Sequence, residues 1–264
     1  MARVRFKDEP MQEVIDASGP SAGWLRVIEK LLALSGHEAY YLTVRMTAPF
    51  ERDLVIDGAF ARFARHRGVP SIDGIAATIF PRSFYRFNCE GDRHVLYMRY
   101  PEFRARAPRF LGKRPTFSYF SRLVAWEPVG VDAPVNQLEA FITRMREHKA
   151  KREAWYFYPI IDPTRDLNKI MSGPCLTAID LKYEIEHNTL NLFAFYRDHE
   201  FAEKALGNYV GLSHLLEFLC DQTKTAAGAI TCVSLRARIE QGYAGDLDKV
   251  LAEVQRGARG KRRS

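Results

Sequence analysis

The sequence predicts an α+β domain in which helices pack on a mixed sheet, and three observations predict it. The stretch LTAIDLKYEI (176–185) alternates by twos. After a turn at His187-Asn188 it returns as TLNLFAFYR (189–197), the pattern of a half-buried hairpin. NYVGLSHLLEFLCDQT (208–223) is apolar nearly all round and therefore predicts a buried helix. Strand and helix patterns are interspersed without the regular alternation of parallel βαβ units.

The elements follow in chain order. Residues 22–35 place Trp24, Val27, Ile28, Leu31 and Leu32 at helical spacing, and Gly36 stops them. AYYLTVRMT (39–47) is rich in β-formers and predicts a strand. DLVIDGAFARFARHRG (53–68) predicts a helix capped by Gly68. Residues 92–108 fit no single pattern, and Pro101 would kink a helix there. TFSYFSRLVAW (116–126) predicts a strand or extended loop. NQLEAFITRMREHK (136–149) is amphipathic, with Leu138, Phe141, Ile142 and Met145 on one face. AWYFYPI (154–160) predicts a strand and TRDLNKIM (164–171) a short helix. On the 176–185 strand, Thr177, Ile179, Leu181, Tyr183 and Ile185 share one face. AGAITCVSLRARIE (227–240) predicts a strand and DLDKVLAEVQ (246–255) a surface helix.

With 264 residues, 47% of them hydrophobic and 27% charged, the chain has material for one large core, and a single domain over 1–264 is expected. No apolar run reaches the roughly 18 residues of a membrane span, and the basic N-terminus lacks the apolar stretch of a signal peptide. Cys89, Cys175, Cys220 and Cys232 form no C-x-x-C pair, which argues against a zinc knuckle or disulfide scaffold and for a reducing cytoplasm. His187 and His199 have no partner at metal-ligand spacing, so no metal site is expected. The net charge of +7 is concentrated at 99–122, 144–152 and the tail GARGKRRS (257–264), which is expected to be disordered. Such clusters suit phosphate, on a nucleotide more than on a nucleic acid.

The stretch from about 136 to 230 resembles thymidylate synthase and the related pyrimidine nucleotide hydroxymethylases. An amphipathic helix is followed by Asp166-Leu167-Asn168-Lys169-Ile170, then Pro174-Cys175, a hairpin, Arg197, and Asn208 eleven residues later. Gly207, Gln222 and Gly228 also fall on family positions, and YFSRL (119–123) is similar to the family's Y-G-x-R segment. The resemblance covers about half the chain. It implies a thymidylate synthase-like mixed sheet, Cys175 as nucleophile and Tyr119 as active-site tyrosine. Arg197 would be the phosphate clamp, Asn208 the base reader and Glu200 the stand-in for an aspartate associated with folate. It also implies 5,10-methylenetetrahydrofolate as one-carbon donor and a homodimer in which Lys151 or Arg152 reaches the neighbour's phosphate site. Asp57, on a helix in roughly the right position, is the candidate for the family's glutamate proton relay.

The chemistry requires these residue types. Pyrimidine C5 is a poor nucleophile until a thiolate adds at C6 and generates an enolate. A cysteine must therefore be activated, and an arginine favours its charged form. A carboxamide offers uracil both a donor and an acceptor, whereas aspartate would suit cytosine. This chain departs from the family in several places. Asp198 replaces a serine that follows the arginine, and an anion beside a phosphate is unfavourable. Arg238-Ile239-Glu240 falls on the sugar-binding H-x-Y. The tryptophan-containing folate segment has no counterpart. Arg238 is expected to grip an extra anionic or hydroxyl-rich group, and Glu240 to accept from ribose hydroxyls. The expected function is C5 modification of a uracil nucleotide. The alternatives are a non-catalytic protein of the same fold that binds a nucleotide or RNA, and a cysteine hydrolase, which lacks a histidine placed as base.

Overall fold

The structure is a computed structural model that describes residues 14–106, 118–127, 130, 132–148, 156–166 and 173–261. Its centre is a mixed sheet of β1 (Val14–Ala17), β2 (Glu38–Met46), β3 (Phe157–Pro159), β4 (Leu176–Glu184), β5 (Thr189–Tyr196), β6 (His199–Glu200) and β7 (Ala226–Arg238). The order is β1-β2-β7-β5-β4-β3, with β6 pairing the far end of β7. β1–β2, β5–β7 and β6–β7 are parallel, and β2–β7, β4–β5 and β3–β4 antiparallel. This is the α+β class that the sequence predicts.

Alternation sorts the sheet into two faces. Leu190, Leu192, Ala194 and Tyr196 on β5, and Ile230 and Cys232 on β7, are fully buried beneath helices. The intervening Phe193, Phe195, Thr231 and Val233 are only half-buried. Phe195 lies next to Val233 across one ladder, and its ring is 6.4 Å from that of Phe157 on β3. This second face is an apolar stripe left partly open.

The helices are α1 (Pro20–Ala33), α2 (Leu54–Arg67), α3 (Ile72–Ile79), α4 (Arg82–Asn88), α5 (Arg93–Arg106), α6 (Tyr119–Val124), α7 (Gln137–His148), α8 (Pro163–Asp166), α9 (Ala205–Thr223) and α10 (Ala244–Lys261). Local chemistry sets their ends. Pro20 opens α1; Asp53 caps α2 by accepting from Val55 and Ile56 N–H, and Gly68 closes it in the left-handed region at φ 67°. α9 lies along β5 and β7, and α3 packs directly on it. At Gly207 and Gly211 the backbones approach so closely that a side chain on α9 would collide with Ile75 and Ile72 or with Ala76 and Ile79.

Several expectations change. Residues 119–124 form a helix rather than a strand. Ser118 Oγ accepts from Ser121 N–H at 3.2 Å, and Phe120, Leu123 and Val124 bury at spacings of three and four. The aromatic content had suggested β structure, but the periodicity decided. α5 runs through Pro101. A bulge between Leu176 and Ala178 takes Thr177 out of phase with Ile179 and Leu181, and Ile185 is 62% exposed beyond the strand. α10 extends to Lys261, where a disordered tail is expected from 257. β1, β6, α3 and α4 are elements that the sequence reading omits.

Candidate active site

Cys175 sits at the mouth of β4, where its carbonyl accepts from Arg197 N–H at 2.9 Å. That bond joins the start of β4 to the end of β5 and brings the two motif residues together. The Tyr119 phenol, at the first turn of α6, meets the backbone N–H groups of Cys175 and Leu176. Burial nonetheless dominates and raises it well above an ordinary tyrosine. α6 is held in place by Arg122, which donates from both terminal nitrogens to Asp166 and also to the Ile160 carbonyl at 2.8 Å. The buried pair joins the arginine of the Y-F-S-R segment to the aspartate of the D-L-N-K segment, so two separated motifs place Tyr119 against Cys175.

The thiol does not have the low pKa that the sequence leads one to expect. Burial pushes it up, Lys204 and Arg197 pull it down, and Glu200 and Asp198 push it up again; the net direction is up. Arg197 is exposed, and its guanidinium has no ion-pair partner among the described residues. It is available to an anion. Lys204, which the sequence reading missed, ion-pairs with Glu200 at the entrance to α9.

Asn208 is not a helix cap. It lies inside the first turns of α9, 3% exposed, and Lys204 occupies the cap position. Its Nδ2 donates to His199 Nε2 at 3.2 Å, and His199 Nδ1 in turn bonds Ser234 Oγ at 2.9 Å. The imidazole stacks on Tyr196 at 3.9 Å, and burial lowers its pKa to about 3, so it remains neutral. Held this way, the carboxamide keeps its oxygen and one N–H for a ligand. His199 had been considered only as a metal ligand; its role in orienting Asn208 carries no local sequence signal.

The remaining candidates fall elsewhere or have protein partners. Arg238 forks onto Asp198 at 3.0–3.2 Å and reaches Glu200 at 2.8 Å. Arg238 and Asp198, which the sequence reading treats as separate departures, thus form one unit in which the guanidinium neutralises the carboxylate. The Glu240 oxygens accept from Ala202 and Glu203 N–H at 3.0 and 3.1 Å, and burial pushes its pKa up to about 7. Glu200, Glu203 and Glu240 offer oxygens within 4.8 Å of one another, and Arg238 and Lys204 already supply positive charge there. Asp57 belongs to a different cluster, accepting from Ser21 Oγ at 2.7 Å and Arg52 Nε at 2.9 Å. Lys151 and Arg152 lie outside the described residues. An apolar-walled cavity of about 250 Å³ between α3, α4, α5 and α9, lined by Phe80, Phe84, Tyr100 and His214, shares no residue with the Cys175 cluster.

No protein-family model matches the chain. It is 32% identical over 141 residues to the "Putative thymidylate synthase" of Methanococcoides burtonii, covering 53% of this chain and 59% of that protein. The protein of the same name from Methanosarcina barkeri is 30% identical over 138 residues, covering 51% and 56%, and that from Methanosarcina mazei 29% over 136 residues. About half of this chain is similar to these proteins. The chain spans somewhat over half the length of these curated relatives. Cys175, Arg197 and Asn208 lie around one end of β4, β5 and α9. No described helix is long and apolar enough to cross a membrane.

Proposed function

We propose that the chain is a one-carbon transferase acting at C5 of a uracil nucleotide, with Cys175 as the group that adds to C6. The observation that carries this reading is the meeting of Cys175 and Arg197 at one hydrogen bond, with Tyr119 against the same backbone and Asn208 on the adjoining helix. The Cys175 proton leaves to solvent and sulfur bonds to C6. The C5=C6 pair moves toward O4 as an enolate, and C5 becomes nucleophilic. Arg197 holds a phosphate oxygen, and Asn208, fixed by His199, pairs with N3–H and O4 of the base.

Methylenetetrahydrofolate, when bound, would supply the one-carbon unit. Glu200 is held by Arg238 and Lys204, and Glu203 accepts from the Tyr243 hydroxyl, so a pterin edge at these carboxylates requires them to exchange partners. Arg238 and Glu240 are engaged with protein groups, so a sugar contact at this position requires them to exchange partners. The open apolar face of the sheet, with Phe157, Phe193, Phe195 and Val233, supports a homodimer formed by sheet-to-sheet packing. Lys151 and Arg152 are the proposed trans contacts to the neighbour's phosphate.

The test is release of tritium from [5-³H]UMP and [5-³H]dUMP into water, which needs only reversible thiol addition and exchange at C5. Exchange by the wild-type protein and its loss in Cys175→Ser, with nucleotide binding retained, is the expected result. The raised thiol pKa favours a second reading, a nucleotide- or RNA-binding protein without catalysis. Binding of UMP without tritium release would establish that reading in place of the first.

A further inference from the structure

We propose that the cavity between α3, α4, α5 and α9 is a second binding site, built for a small planar aromatic carboxylate and separate from the Cys175 cluster. Its walls are aromatic. Phe80 and Tyr100 are almost fully buried, and the Phe84 and Phe103 rings stack with centroids 4.3 Å apart. Phe103 is 43% exposed, so this wall reaches solvent and a ligand has a way in. The space of about 250 Å³ suits a molecule of one or two rings, since an apolar cavity of about 150 Å³ already takes benzene. Aromatic walls select a flat ring through offset and edge-on contacts. The Tyr100 hydroxyl is engaged with Ser118 Oγ at 2.7 Å, which leaves polar recognition to other groups.

Those groups are His214 and Arg82, which also line the cavity. Arg82 Nη1 lies 3.4 Å from His214 Nε2. A guanidinium can only donate, so Nε2 accepts and the proton of the neutral imidazole sits on Nδ1. Burial, then the charges of Arg82, Arg52 and Arg86, lower the His214 pKa to about 4, so the ring is neutral near pH 7. His214 Nδ1 and Arg82 Nε are both shielded from solvent, and neither has an acceptor among the described residues. Buried donors almost always have partners, so two of them on touching groups at one cavity point to an acceptor brought by a ligand. The local charge favours an anionic one. Arg82 and Arg86 share the carboxylate of Glu217 at 2.8 and 3.5 Å, and Arg104 adds a further cation to the lining. Asp73 is the anion in that lining, exposed in the first turn of α3. A carboxylate can accept from both N–H groups while its ring lies among the aromatic walls.

The experiment is calorimetric titration of the full chain with 2-naphthoate and, as its uncharged counterpart, 2-naphthamide. The acid should bind about tenfold more tightly, because its hydrogen bonds are charge-assisted. His214→Phe keeps a flat ring but removes the Nδ1 donor, so most of the preference for the acid should vanish. Phe84→Ala removes one aromatic wall at a partly exposed position and should weaken both probes by about tenfold. Should a thermal melt show that His214→Phe does not fold, Phe84→Ala decides. A wild type that binds neither probe, or binds both equally, overturns the proposal. So does an acid preference that survives in His214→Phe, or undiminished binding in Phe84→Ala. Excess UMP should leave the affinity for 2-naphthoate unchanged; displacement would place the probe in a nucleotide site and refute a separate cavity. Tritium release calls on no residue of this cavity, so failure of the transferase reading leaves the second site standing, and the reverse holds equally.

Discussion

Replacing Gly207 with alanine tests how tightly α3 is seated on the helix that carries Lys204 and Asn208. A methyl group at 207 would stand 2.5 Å from Ile75 Cβ, 2.8 Å from Ile75 Cγ2 and 2.9 Å from the Ile72 carbonyl oxygen. Optimal carbon–carbon contacts are about 3.5–4.0 Å, so α3 must retreat by roughly 1 Å. Overpacking of this kind costs about 1–3 kcal/mol. The upper end applies, because the Ile72 obstacle is backbone and cannot rotate away. Alanine returns about 1 kcal/mol through helix propensity. The net loss is about 2 kcal/mol, which for a chain of this size lowers Tm by about 4–8 °C. Gly257→Ala on α10 is the control. Its new methyl would meet only Val55 Cγ1 at 3.7 Å, an ordinary contact, so Tm should stay level or rise. Circular dichroism melts of both variants settle the matter. If Gly207→Ala melts at or above the wild-type temperature, the close seating of α3 on α9 is wrong. If it melts lower, nucleotide affinity should fall with it, since the displaced helix carries Asn208, the proposed base reader.

Stability should also decline on both sides of neutrality, for separate reasons. His199 is pushed from 6.5 to about 3, so the unfolded chain binds its proton more readily; this contribution is present above 6.5 and is lost as pH falls toward 3. Glu240 is pushed from 4.5 to about 7, so its contribution is present below 4.5 and disappears as pH rises through 7. Urea midpoints across pH 4–9 should show a shallower acid limb in His199→Gln and a shallower alkaline limb in Glu240→Gln; unchanged slopes would reject these assignments. Placing a charge on the open sheet face, Phe195→Asp, should yield a monomer by analytical ultracentrifugation, where wild type sediments as a dimer. A monomeric wild type at micromolar concentration would refute the sheet-to-sheet packing.

The hairpin and α9 were legible in the sequence because their patterns are local: strict alternation across 176–197 and continuous apolarity across 208–223 leave few other folds. α6 was misread because Tyr119 and Phe120 carry strand propensity, while burial at helical spacing depends on Tyr100, Phe80 and Ser118, distant in sequence or easily overlooked. The joining of Cys175 to Arg197 was legible through a turn whose register was predictable. The bond from Asn208 to His199 was not, since nothing in the eight intervening positions marks the imidazole as its partner. Arg238 illustrates the opposite error. Judged alone, a guanidinium on a sugar-binding position suggests a ligand, but the aspartate that satisfies it lies forty residues earlier. Charge substitutions that compensate one another across a sheet look like separate anomalies until the strands are paired.

The place of β7 governs how the chain can be assembled on the ribosome. It follows every other described strand in the chain, yet it lies in the interior of the sheet, between β2 and β5. Until residues 226–238 emerge, the nascent polypeptide holds two disconnected groups, β1–β2 and β3–β4–β5, each with an exposed edge facing the gap where β7 belongs. The hydrophobic surface beneath both groups stays incomplete until β7 emerges, and the parallel β5–β7 ladder must then close over a long intervening segment. Completion of the core therefore waits on the segment that carries β7. A truncation that removes β7 leaves two half-sheets, each with an open edge where β7 belongs.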